Sequence, residues 1–344
     1  MLGVEPDGPP GTGGLAASLS VVPATSVIAN AVDSIVAGEV NAIGTLITRT
    51  EQRIRGDGEV LFRAALRGLE PADRIEAVSK GMAEKAGQTV LADFEVRNVD
   101  VTNEPLVVAY QGRQAGVLDW TQPKSSLKTF LPKTELLASD AQAWQGAATV
   151  QIGSKGQSSM SAEIVLPAGY RVRPPVNVSL SRGYGSYESR YEVVEGRVRV
   201  ARTIRLNADV IPASRSADYL AFVAAIRKDE EQTFAVEATP PAQIPATPPG
   251  STDFEIYAAG TSAYRAKRYA DAAALYQQIV DRTPTHPDAW NALGLSLWLD
   301  KRLPQAADAM RKQIALNSPL RSSRRLPTSV RRVRTTSAVW RSRS

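Results

Sequence analysis

The 344-residue chain is long enough for two or three domains, and its hydrophobic content of 43% is sufficient for ordinary folded cores. It has no cysteine, which excludes disulfides, thiolate metal sites and a cysteine nucleophile, and its single histidine excludes a histidine-rich metal site. The net charge is +6, but residues 318–344 carry eight arginines and no acidic residue, whereas the rest carries 33 basic and 35 acidic side chains. The bulk of the chain is therefore not basic, and nucleic-acid binding would depend on the tail alone.

The chain begins with "MLGVEPDGPPGTGG", which lacks the basic and apolar regions of a signal peptide. No stretch approaches the roughly 20 apolar residues of a membrane-spanning helix. Residues 8–14 nearly match a phosphate-binding loop, but Gly14 and Leu15 stand where the lysine and the hydroxyl residue are required. We therefore expect a flexible start and no nucleotide site.

The rest of the N-terminal segment, residues 1–89, is predicted to contain one strand and short helices. Residues 40–56 could form the strand. The following stretch, residues 56–87, predicts two short helices, with Asp57 as the N-cap of the first.

Residues 90–237 predict a β-sandwich-like domain that ends in a helix. Glu195-Gly196 separates two alternating runs and indicates a tight hairpin turn. In the second run one face carries the apolar side chains of Val198, Val200, Ile204 and Leu206. Arg202 interrupts this face, which indicates a bulge or an edge position.

The helix that ends this domain is predicted from an apolar stripe in residues 216–232. The stripe has helical spacing, and Ser216 could cap the helix. Its members are Tyr219, Phe222, Val223 and Ile226. The acidic residues Asp229, Glu230 and Glu231 at its end are most simply interpreted as a solvated face.

A proline-rich stretch, residues 238–252, predicts a semi-rigid linker with five prolines in fifteen positions. After it, residues 253–317 repeat themselves at an offset of 34, which is the period of tetratricopeptide repeats. The matching pairs are Ile256/Trp290, Ala259/Leu293, Gly260/Gly294, Tyr264/Trp298 and Ala272/Ala306. We predict two helical hairpins, each with a close approach at its glycine; the alternative is a generic amphipathic hairpin.

First helices of such repeats line a groove that binds peptides or partner segments. The residues predicted to face this groove are Tyr257, Thr261, Arg265, Asn291 and Leu295. The alternative is that they are ordinary helix surface or interdomain contacts. His286 is predicted to lie in the turn before the second repeat and not to act as a catalytic base.

Residues 318–344 abandon the repeat pattern, and Pro327 would break the first helix of a third repeat. The loss of pattern and of acidic residues favours an out-of-frame translation of a former repeat. The alternatives are a disordered solubilising end and an arm that neutralises phosphates. Loss of retention on a phosphate resin after deletion of these residues would support the last.

The stretches "GVLDW", "LPAGYRV", "VSLSRGYGSYESRYEVVEGRVRVARTIRL" and "SADYLAFVAAIRKDEEQ" resemble part of a family of large bacterial transglutaminase-like proteins. Members join an N-terminal β domain of unknown function, a transglutaminase-like core, a further β-sandwich and C-terminal tetratricopeptide repeats. The resemblance covers residues 1–317 and only the region downstream of the catalytic core. It implies an envelope or periplasmic location for an intact parent, and no catalytic residue can be transferred.

The fold class expected is therefore α+β and multidomain: a β-sandwich-like domain with helical insertions, a linker and tetratricopeptide hairpins. The leading hypothesis is a non-enzymatic interaction or scaffold module without a cofactor, a remnant of a larger transglutaminase-like protein. A second hypothesis is a substrate-binding accessory part of a cysteine-dependent transglutaminase or peptidase system. The third is nucleic-acid binding through the arginine-rich tail, which is the least favoured.

Overall fold

The computed structural model describes residues 2–6, 17–21, 29–84, 87–239 and 246–317. The chain divides into two compact units, residues 1–267 and 268–344. The glycine-rich residues 8–14 and the arginine-rich residues 318–344 lie outside the described residues, so the predictions about them stay untested.

The described strands all belong to the first unit. In chain order they are β1 (Leu2–Pro6), β2 (Ala17–Val21), β3 (Asn30–Val40), β4 (Leu46–Arg55), β5 (Val90–Arg97), β6 (Leu106–Gln114), β7 (Lys124–Lys128), β8 (Thr149–Gln151), β9 (Gly156–Val165), β10 (Tyr170–Arg173), β11 (Val178–Arg182), β12 (Gly185–Val194), β13 (Arg197–Leu206), β14 (Val210–Pro212) and β15 (Thr233–Ala238).

Seven α-helices complete the described residues. The first unit contains α1 (Asp57–Arg67), α2 (Pro71–Ala83), α3 (Ser216–Glu230) and α4 (Asp253–Arg265). The second contains α5 (Tyr269–Arg282), α6 (Pro287–Leu299) and α7 (Leu303–Asn317). Sheets in one region and helices in another confirm the predicted α+β class.

Eight strands form one mixed sheet in the order β11-β12-β13-β9-β3-β4-β6-β5. Every neighbouring pair is antiparallel except β3 and β9, which run parallel. The sheet takes strands from both sides of the predicted boundary between residues 89 and 90, since β3 and β4 lie between β9 and β6. The strand predicted in residues 40–56 is found as β4.

A smaller sheet, in the order β10-β15-β7, packs against the inner face of the large sheet. Buried residues of both sheets form one apolar cluster: Val36, Val40, Leu46, Leu118, Leu127, Ala162, Ile164, Leu166, Tyr191, Val198, Val200, Phe234 and Val236. Tyr191 from the large sheet and Phe234 from the small one meet edge to face, with ring centroids 5.9 Å apart. This is the sheet-on-sheet packing of a sandwich.

The predicted hairpin turn is confirmed. Val194 pairs with Arg197, and both turn residues have positive φ, 49° at Glu195 and 76° at Gly196. Two successive left-handed residues give the turn whose twist matches paired strands.

The interpretation of Arg202 as a bulge or an edge residue is wrong. Strand β13 lies between β12 and β9, and its pairing with both continues without a break through Arg202. The side chain lies on the buried face and is only 1% exposed. The prediction rested on the usual preference of charged side chains for water. Arg202 instead lies inside the sheet domain.

Helix α3 covers one end of the large sheet as predicted, and the predicted apolar stripe of Tyr219, Phe222, Val223 and Ile226 is buried. Ser216 is not its cap. A short 3-10 helix at Ala213–Arg215 leads directly into α3, so the chain is already helical before Ser216, and no side chain caps it.

Helices α1 and α2 confirm the predicted pair of short helices, but Asp57 is not the N-cap. Gly56, with a φ of 80°, holds that position, and Asp57 is the first helical residue. The backbone N–H of Asp57 donates instead to Asn30 Oδ1 at 2.6 Å.

Candidate functional site

The first helix of the repeat region, α4, begins with a capping box. Glu255 N–H donates to Thr252 Oγ1 at 3.3 Å, and Thr252 N–H donates to Glu255 Oε2 at 2.9 Å. These bonds satisfy backbone donors that the first helical turn leaves free. The sequence "STDFE" carries this signature because threonine precedes glutamate by three residues.

Glu255 also forms a bidentate ion pair with Arg113 of β6. The guanidinium Nε and Nη2 lie 2.8 and 3.0 Å from the two carboxylate oxygens, and Glu255 is only 3% exposed. Burial raises the pKa of Glu255, but the hydrogen bonds from Arg113 and Thr252 outweigh it and leave this pKa below its ordinary value. The start of α4 is therefore fixed to the large sheet.

Replacing Glu255 with glutamine is expected to lower stability at neutral pH and less so in acid. The carboxylate with a depressed pKa stabilises the fold above its unfolded pKa of about 4.3, and this stability is lost as pH falls through the folded pKa. Urea unfolding across a pH series should show the difference between wild type and variant shrinking below about pH 4. The exposed Glu231→Gln serves as the control, and a difference independent of pH would contradict the prediction.

The three predicted groove residues of α4 follow one another at four-residue spacing and so share one face. Tyr257 and Thr261 are half-buried, and Arg265 is exposed. The Thr261 hydroxyl donates to the Tyr257 carbonyl at 2.9 Å. This face is accessible, and its binding of a partner stays a prediction.

In the second unit, α6 begins as the sequence indicates. His286 occupies the N-cap position, where its Nδ1 accepts from Ala289 N–H at 3.3 Å, and Pro287 is the first helical residue. The Trp290 indole donates to the Pro284 carbonyl at 2.8 Å. His286 is thus a residue of the turn before α6, as predicted.

Helices α6 and α7 approach closely at Gly294. A Cβ added there would lie 2.9 Å from Met310 Cγ and 3.6 Å from the Ala306 carbonyl oxygen. Ala306 is itself buried. The predicted close approach at this glycine is therefore confirmed for the second hairpin.

Replacing Gly294 with leucine is expected to destabilise the α6–α7 hairpin by about 1–3 kcal/mol, because the new side chain has no room against α7. Thermal unfolding followed by circular dichroism measures the effect. The matched control is Gly81→Leu on α2, since a Cβ at Gly81 has no atom within 4 Å and leucine favours the helix. Equal effects of the two substitutions would refute the close-packing role.

The backbone repeats with the same 34-residue period as the sequence. Lys267 and Lys301, one period apart, have φ of 62° and 63° and follow the ends of α4 and α6. Their N–H groups donate to the equivalent carbonyls of Tyr264 and Trp298. Each first helix thus ends in the same left-handed turn, which is a common helix stop.

Asn291 and Leu295 lie one turn apart on α6. Asn291 is exposed and Leu295 half-buried, whereas Ala289, Ala292, Leu293, Ser296 and Leu297 on the same helix are buried. The two predicted groove residues therefore lie on the accessible side of α6, and their role in binding stays a prediction.

Sequence reasoning missed a buried polar cluster at the end of α3. The interpretation of its acidic residues as a solvated face is wrong for two of the three: Asp229 is 2% exposed and the Glu230 side chain is equally buried, although Glu231 is exposed. Glu230 accepts from Thr134 N–H at 2.5 Å and from Arg227 Nη1 at 2.8 Å, and lies 3.7 Å from Arg202.

Asp229 accepts hydrogen bonds from two tyrosine hydroxyls, Tyr187 at 2.5 Å and Tyr191 at 2.8 Å. Burial raises the pKa of both tyrosines, and the hydrogen bond to Asp229 raises it further. Both hydroxyls therefore stay protonated and act as donors. The acidic side chains of the cluster accept their hydrogen bonds from within the fold, which is the character of a structural network. Of the buried Arg202 guanidinium, Nη1 bonds to the Pro132 carbonyl, whereas Nε and Nη2 have no hydrogen-bond partner in the part of the chain that the structure describes.

Within the described residues, no group of three or more histidine or acidic side chains is placed to bind a metal ion. Over the same ranges, no helix is both long and apolar enough to cross a membrane.

Comparison with known proteins gives two partial matches. Residues 257–318 match a family model of the tetratricopeptide repeat, which confirms the predicted repeats. Residues 142–236 match DUF3858, a domain of unknown function with a solved structure. No curated protein and no solved structure matches the chain. The transglutaminase-like parentage stays a prediction.

Proposed function

We propose that the chain is a non-enzymatic protein-interaction module whose repeat helices bind a peptide or protein segment. The observation that supports this most strongly is the 34-residue repeat, in which the predicted groove residues lie on accessible faces of α4 and α6. Tetratricopeptide repeats use such faces for partner binding. On α4, half-buried Tyr257 offers apolar contact and Arg265 offers charge. On α6, Leu295 offers apolar contact and Asn291 offers hydrogen bonds.

The proposal also concerns the origin of the chain. The order of sheet domain, proline-rich linker and repeats resembles the C-terminal part of transglutaminase-like proteins, and the absence of cysteine from the sequence fits a part that lies downstream of their catalytic core. On this proposal the chain is a remnant of such a parent and retains its interaction region. Purified chain is expected to show no amide-transfer or peptidase activity on casein.

The experiment is selection of a phage-displayed library of random dodecapeptides on the full chain. Selected peptides are then titrated against Asn291→Asp and Leu295→Glu. Loss of affinity by about tenfold or more supports binding at the repeats. The control is Glu188→Gln on the exposed face of β12. If every selected peptide binds the two repeat variants as tightly as wild type, the proposed site is wrong.

A further inference from the structure

A cavity of about 1700 Å³ lies on the inner face of the large sheet, in the first unit. Its floor is formed by β3, β4, β6 and β9, and its two sides by α1 and by the segment of residues 128–137. Pockets for small molecules are typically about 300–1,000 Å³. This cavity is therefore large enough for a polypeptide segment.

The floor of the cavity is mixed: apolar residues such as Val32 and Ile54 line it, but part of it is polar where an ordinary core face would be apolar. Ser34 lies opposite Gln52, and Thr50 lies opposite Tyr110, all on the inner face. On the same face, Val36 and Ala162 pack into the sandwich core. Thr50 and Tyr110 hydrogen-bond to each other, and hydroxyl and amide groups of this kind suit a ligand rich in peptide and other neutral polar groups.

The side formed by residues 128–137 contains a buried hydroxyl group that lacks a partner. Thr134 is 3% exposed and lines the cavity, and its Oγ1 has no hydrogen-bond partner among the described residues. Its N–H is bound by Glu230 and its carbonyl by Arg227, so the residue is held in place from both sides. The oxygen has almost no accessible surface, so a ligand pairs with it only after the Thr134 side chain rotates towards the cavity.

A strand edge also faces the cavity. Strand β7 is an end strand of the small sheet, and Ala238 N–H donates to the Pro123 carbonyl in its pairing with β15. Antiparallel pairing alternates, so Ser125 and Leu127 bond towards β15, and the backbone groups of Lys124, Ser126 and Lys128 point outward. Of these outward residues, Ser126 and Lys128 line the cavity.

The charges around the cavity nearly balance. The acidic lining residues are Asp57, Glu135, Glu230 and Glu231, and the basic ones are Arg55, Lys128 and Lys133. This balance disfavours a polyanion such as nucleic acid. The wall on α1 is apolar and includes Leu61, which is 73% exposed.

We propose that this cavity binds an extended segment of a partner protein as an added strand beside β7. Backbone hydrogen bonds to Ser126 and Lys128 hold the segment, which is the usual mode of peptide binding at a strand edge. Because alternate side chains of a strand face opposite sides, every second residue faces the floor, where serine, threonine, asparagine or glutamine fits best. The other side chains include apolar ones that contact Leu61.

The test uses the same dodecapeptide library on the full chain, with variants of the cavity. Ser126→Pro removes an outward N–H and keeps the pairing with β15, and Thr134→Val removes the free hydroxyl at constant size. The matched control is Lys124→Pro, which also faces outward on β7 but does not line the cavity. Thermal unfolding establishes that each variant is folded.

We expect the selected peptides to carry neutral polar residues at alternate positions. Their affinity for Ser126→Pro should be about tenfold lower than for wild type, and their affinity for Thr134→Val should fall by less. Their affinity for Lys124→Pro should be unchanged. Amide hydrogen exchange at Ser126 and Lys128 should slow when such a peptide is bound, and this measurement decides the matter if Ser126→Pro does not fold. Unchanged affinity in both cavity variants together with unchanged exchange overturns the proposal. Peptides sensitive only to Asn291→Asp or Leu295→Glu support the repeat site and overturn this one.

Discussion

Replacing Asp229 with alanine is expected to destabilise the first unit by about 3–5 kcal/mol. Besides the two tyrosine hydroxyls, its carboxylate accepts from Ser189 Oγ at 2.9 Å and from Gln232 Nε2 at 2.7 Å. Alanine would leave the buried Tyr187 and Ser189 hydroxyls without this acceptor, and Tyr191 with only the backbone carbonyl at 3.5 Å, whereas Gln232 keeps its bond to the Val176 carbonyl. It would also remove a negative charge from a cluster that contains the buried Arg202.

Urea unfolding followed by circular dichroism measures the loss, with Glu231→Ala as the control at the same helix end. Glu231 is exposed, so its replacement should change the free energy of unfolding by less than about 0.5 kcal/mol. Asp229→Asn keeps the size of the side chain, but its amide N–H groups would face the hydroxyl donors that surround the carboxylate. This variant should therefore still be destabilising. A loss below about 1 kcal/mol in Asp229→Ala would show that water or neighbours replace the carboxylate.

Replacing Arg63 with methionine is expected to cost a similar amount, about 3–5 kcal/mol. Arg63 is 4% exposed on α1 and pairs with Glu59 one turn earlier, at 2.6 Å. It also donates to the carbonyl oxygens of Asn98, of Val99 at 2.8 Å and of Glu104 at 2.7 Å. Methionine fills the volume but removes the main donor to these groups: the Glu59 carboxylate keeps only Arg55, at 3.4 Å, and the Gly56 N–H, at 3.2 Å.

The control for this prediction is Arg67→Met, because Arg67 is about half exposed and pairs with an exposed Asp100 at 3.4 Å. Its loss should stay below about 1 kcal/mol. The double variant Glu59→Leu/Arg63→Met should be no less stable than Arg63→Met, since it also removes a buried carboxylate that has lost its shortest ion pair. Faster amide hydrogen exchange in residues 98–105 would show that Arg63→Met loosens the segment whose carbonyls Arg63 binds. Unchanged exchange there would contradict the prediction.

The repeats and the hairpins were predictable because their signals are local. The Glu195-Gly196 turn acts within a few positions, Gly294 meets Ala306 twelve residues on, and the 34-residue period is written directly in the sequence. The buried charges were not predictable, because Arg202 and Glu230 become partners only when β13 and α3 come together. Strand β3 was missed for a related reason: Ser34 faces inward, where alternation leads one to expect an apolar residue. The cavity was not predictable either, since the polar residues of its floor form no recognisable pattern in the sequence.

The single parallel pairing between β3 and β9 divides the large sheet into two antiparallel halves of four strands. Within each half, paired residues are at most 68 positions apart, whereas Asn30 and Gly156 at the junction are separated by more than a hundred. Each half can therefore assemble from its own stretch of chain, and the junction forms last because it closes the longest loop. Until then both halves expose an unpaired strand, to which the complementary half of a second molecule can attach. Refolding at high protein concentration should consequently yield dimers that have exchanged half-sheets, a hazard set by chain topology.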